Sequence, residues 1–119
     1  MRGEVSERED LLDGRVRVEL DGSAEDWSVA ASLGWRRGRE GEVALDEGEL
    51  TLASGSREVY ASMDGGSARP DPETGAINVR VSFVVDGSTG GWLQPGERLS
   101  CDFAVGSEEW SGELRIGDA

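Results

Sequence analysis

Arginine supplies every cationic side chain in this sequence. The twelve basic residues are all Arg, and there is no lysine and no histidine. Without imidazole there is no Ser–His or Cys–His nucleophile pair and no imidazole metal site. Without lysine there is no Schiff base and no phosphate-cradling loop of the kind that depends on it. The chemistry that remains is general acid–base work by a tuned pair of carboxyls, drawn from 25 Asp and Glu residues. Such a pair needs one carboxyl in an apolar concavity. In the alternating apolar runs, however, Glu58, Asp102 and Glu113 all fall on outward positions. The pattern therefore leans away from an enzyme, and no residue is assigned a catalytic role.

Other reactive types are equally sparse. Cys101 is the single cysteine, so no intramolecular disulfide can form. In "RLSCDFAV" it shares a face with Leu99, Phe103 and Val105, as a small buried hydrophobe does. Asp64, Asp71 and Glu73, like Asp21, Ser23 and Glu25, are fragments of a calcium loop that complete no full ligand set. They read as turn formers, and no metal or cofactor is expected. Trp92 stands in a Gly-rich segment outside any strand pattern, and Tyr60 falls on a polar face. These two aromatics are candidate contacts for a ligand or partner.

The net charge of -13 repels phosphate backbones and anionic membrane surfaces. Nucleic acid and membrane are therefore not expected as partners, and "RRGR" at 36–39 reads as a solvated loop. The N-terminal residues lack an apolar signal core, and the expected location is the cytoplasm.

The elements that must position these residues follow a period of two. "RVRVEL" at 15–20, "WSVAASLGW" at 27–35, "EVAL" at 42–45, "ELTLA" at 49–53, "REVYASM" at 57–63, "AINVRVSFVV" at 76–85, "RLSCDFAV" at 98–105 and "EWSGELRI" at 109–116 all alternate apolar with polar or small residues. Residues 1–14 read as a tail or short helix, with Ser6 and Glu9 resembling a capping box. Residues 15–117 then form one all-β domain of about eight mostly antiparallel strands. The "DEG" at 46–48 reads as a hairpin turn. The connections at 64–75 and 86–97 are long enough to pass between sheets, which favours a β-sandwich over a closed meander barrel. Gly112, on the inward face beside Trp110, is expected to make room for the indole.

One face is unusual. Ser28, Ala30, Ser32 and Gly34 form the outer side of the 27–35 strand and carry no charge, although charge is one of the devices that keep exposed sheets apart. The expected cover is the segment holding Leu11 and Leu12, the 64–75 loop, or another chain. Ser28, Ala30 and Ser32 therefore join Trp92 and Tyr60 as candidate binding residues. Together these features predict a non-catalytic binding or assembly module that acts through protein–protein contacts or self-association. The alternative is a small lipocalin-like barrel holding an apolar ligand, with a cyclase or isomerase activity.

Overall fold

The computed structural model describes residues 1–90 and 93–117. Eight strands follow in order: β1 (Arg2–Asp10), β2 (Arg15–Ala24), β3 (Trp27–Arg37), β4 (Val43–Ser54), β5 (Arg57–Pro70), β6 (Ile77–Thr89), β7 (Arg98–Val105) and β8 (Glu109–Ile116). Each is antiparallel to the next, and β1 returns to pair with β8. The all-β class and the eight antiparallel strands are as the alternation predicts. The sandwich preference is corrected, because one sheet closes on itself as a meander barrel. The segments expected to cross between sheets are shortened by the strands: 64–70 extends β5 and 86–89 extends β6. Long paired strands satisfy their own backbone groups and leave little chain for a crossover.

Two further expectations change. Residues 2–10 are a strand, with β1 pairing along β2 from Arg2 to Asp10. Only Gly3 and Val5 in its inward half are partly covered, so its sparse apolar content hid it. The "DEG" at 46–48 is no turn, since β4 runs through it and a bulge between Gly34 and Trp35 absorbs one extra residue. The strand total is preserved because one strand was gained at the N-terminus and two predicted strands merged.

Inward side chains from β2 to β8 form one apolar cluster. Val18, Leu20, Leu33, Trp35, Leu50, Leu52, Phe83 and Leu99 lie at 1% exposure or less. No polar or charged residue among the described ones is buried. Trp35 Nε1 is the exception at the atomic level, a buried N–H without an acceptor among the described residues. Phe103 and Trp110 meet edge to face, with centroids 5.6 Å apart.

Closure is uneven. β1 and β8 pair over Arg2–Glu4 and Glu109–Ser111, flanked by hydrogen bonds between Met1 and Gly112 and from Val5 N–H to Glu108 O. The indole of Trp110 crosses behind this seam, and its Nε1 donates to Asp21 O at 3.2 Å. The residue that makes room for it is Gly22, where a Cβ would stand 2.7 Å from Trp110 Cζ2. Gly112, expected in that role, is instead held against the Asp102 carbonyl. At the other side, β4 and β5 pair only from Glu49–Ser62 to Ser54–Arg57. Below that level, 43–48 and 63–70 run unpaired with each other.

Candidate functional site: the outer faces of the sheet

Outward side chains fall into cross-strand rows. One row runs Asp21, Ala30, Thr51, Tyr60 and Gly87 across β2 to β6, and the next runs Ser23, Ser28, Ala53, Glu58 and Thr89. The register therefore places Ser28 and Ala30 two strands from Tyr60 on one face, with only Thr51 and Ala53 between. Ser28, Ala30 and Tyr60 are exposed. Neither expected intramolecular cover lies over them: the N-terminal segment is edge-paired to β2, and 64–75 is strand and turn. Leu12 stays fully exposed.

The rest of the β3 face is closed by local chemistry. Ser32 Oγ donates to Glu19 Oε1 at 2.9 Å. Gly34 lies beneath the Glu47 side chain, which pairs with Arg17 at 2.9 Å. A Cβ at residue 34 would come within 2.6 Å of Glu47 Cγ, so glycine there admits an ion pair across β2 and β4. Tyr60 O–H donates to Glu58, and this bond, followed by the charge of Glu58, raises the phenol above its ordinary range. Trp92 lies outside the described residues.

A second outer region covers β5 to β8. Arg80 Nε and Arg115 hold opposite oxygens of Asp102, at 3.1 and 2.8 Å. The hydrogen bond from Arg115 is the main cause that keeps the Asp102 carboxyl below its ordinary range; desolvation opposes it, and the hydrogen bond from Arg80 and the charges of both arginines add to the lowering. Arg80 and Asp102 edge a shallow cleft of about 680 Å³ that Ser67, Ala104, Ser111 and Gly112 also line. Glu58, Asp102 and Glu113 all point outward, as alternation requires. Asp71 caps its turn, accepting from the Glu73 and Thr74 amides.

Sequence reasoning found the small face but missed its neighbours. Thr51, Ala53 and Gly87 have no distinguishing type, and only the pairing register brings them beside Ala30 and Tyr60. Comparison with protein-family models, curated proteins and solved structures finds no match.

Proposed function

We propose that the protein is a binding or assembly module that acts through protein–protein contacts at the outer face of β3, β4 and β5. The observation that carries this reading is the patch of uncharged side chains made by Ser28, Ala30 and Tyr60, which are exposed among the described residues, with the half-buried Thr51 and Ala53 between them. Charged side chains occupy most outer positions of β1, β2 and β8, as on solvated sheets that resist association. Small side chains let a second sheet approach closely, and Tyr60 at 44% exposure supplies the aromatic anchor that contact surfaces favour. The carboxylates stay in water, which fits recognition better than catalysis.

Self-association is the form of this reading that experiment addresses first. Size-exclusion chromatography with light scattering over a concentration series is expected to show a dimer or larger species. Ala30→Arg should return it to monomer with unchanged thermal stability. A wild-type protein that stays monomeric throughout would remove the second copy as the partner.

A further inference from the structure

The splayed lower halves of β4 and β5 leave two strand edges facing each other. Asp71 N–H donates to Ala76 O, so the antiparallel alternation turns the backbone groups of Gly66 and Ala68 away from β6 and toward β4. Gly38 N–H donates to Glu42 O, which by the same alternation turns those of Val43 and Leu45 away from β3 and toward β5. No ladder joins these groups across the gap. Leu45 partly fills it, since a Cβ on Gly66 would lie 2.7 Å from Leu45 Cδ2. Toward the lower rim the gap opens into a cleft of about 430 Å³, lined by Gly38, Val43, Ala44, Ala68 and Pro70 and flanked by two cations, Arg36 and Arg69, against one carboxylate, Glu42. That volume is within the ~300–1,000 Å³ of ordinary ligand sites.

We infer that this slit is a docking site for an extended segment of a partner protein that alternates apolar and acidic residues. Unpaired strand edges recognise extended chain through main-chain hydrogen bonds, with alternate side chains read by adjacent pockets. The six residues 43–48 span about 20 Å of extended chain, which sets the length of the segment. Its apolar side chains meet Val43 and Ala68 on the inward face, while its carboxylates meet Arg36 and Arg69 on the outward face. Arg69 makes no ion pair among the described residues, and Arg36 has only a long contact to Asp46 at 3.8 Å. Guanidinium groups suit carboxylates through paired, charge-assisted hydrogen bonds. The net charge of -13 opposes an acidic segment at long range. At physiological ionic strength that repulsion is screened beyond about 8 Å, so the nearby arginines decide. Pro70 at the end of β5 offers no N–H, which limits the edge there to a short segment. The site adds a second contact surface and does not depend on the β3 face.

The test uses the full chain and a dye-labelled, acetylated and amidated hexapeptide alternating Val and Glu, followed by fluorescence anisotropy. Replacing each Glu of the peptide with Lys should weaken binding at least tenfold. N-methylation of every second peptide residue, in the register facing the edge, should do the same. Arg69→Glu should cost about tenfold, whereas Ala30→Arg should leave affinity unchanged. Amide shifts in the NMR spectrum should centre on Val43, Leu45, Gly66 and Ala68. Absence of binding at millimolar peptide, equal binding of the Lys version, indifference to N-methylation in both registers, or shifts centred on β3 would each overturn the inference.

Discussion

Gly3→Ala should open the seam that closes the sheet. Gly3 faces Gly22 across β1 and β2 and Trp110 across β1 and β8. A Cβ at residue 3 would lie 2.0 Å from Asp21 O and 2.4 Å from Gly22 Cα, both backbone atoms that cannot swing aside. Reaching even 3.0 Å, a distance real Cβ atoms rarely undercut, requires β1 to shift by 1.0 Å (3.0 minus 2.0). The flanking hydrogen bonds between β1 and β8 are 2.8, 2.9 and 3.0 Å long. Because β1 is held between β2 and β8, backing away from Asp21 O by an ångström distorts these three bonds along with the β1–β2 pairing. Three bonds at a net ~0.5–1.5 kcal/mol each, with the Trp110 bond to Asp21 O also loosened, give a loss of about 2–4 kcal/mol. For a chain of this length that is a fall of roughly 10 °C in Tm. Urea and thermal unfolding followed by circular dichroism would measure it, with Trp fluorescence expected to shift red as Trp110 is exposed. Gly87→Ala is the control, because its Cβ meets nothing within 4 Å among the described residues and its φ is not positive; it should be neutral or slightly stabilising. A Gly3→Ala protein within 0.5 kcal/mol of wild type would refute the reasoning.

Cys101 is fully buried, and burial pushes its thiol up to about 12 from 9.0. It should resist thiol reagents until the chain unfolds. The unfolded chain loses this proton first, so stability should be unaffected below pH 9 and fall toward pH 12, by up to ~1.4 kcal/mol per pH unit. Cys101→Ala should flatten that slope. Asp102 should titrate below the usual carboxylate range in carboxyl-carbon NMR, and Arg115→Gln should move it back up. Because its folded value is depressed, its stabilising contribution is present above about pH 4 and is lost as pH falls through the folded value. Phe83→Ala, at a fully buried inward position, should cost about 3–5 kcal/mol in urea titrations, whereas Tyr60→Ala on the outer face should cost under ~1 kcal/mol. Equal losses at the two positions would break the assignment of inward and outward faces.

Much of this architecture was legible along the chain. Val16, Val18 and Leu20, or Ile77 through Val85, repeat with a period of two because successive side chains of a strand point to opposite faces, and hydrophobic burial selects one of them. That periodicity needs no knowledge of neighbours, and it located Cys101 inside and Glu58, Asp102 and Glu113 outside. β1 escaped it because its outer half, Glu7 to Asp10, packs against β2 alone and buries nothing. The "DEG" misled because a bulge and a turn draw on the same residue types.

What the amino-acid order determined by itself was therefore strand content, the face each side chain takes, and the chemistries closed off by the missing His and Lys. Tertiary structure alone decided which strands pair, that the sheet closes through so short a β1–β8 seam, and that Tyr60 stands in the same row as Ala30. It also decided where β4 and β5 part to leave an open slit. Register and closure come from hydrogen bonds between residues far apart in sequence, together with backbone approaches such as Gly3 on Gly22. No local pattern encodes a distance of that kind.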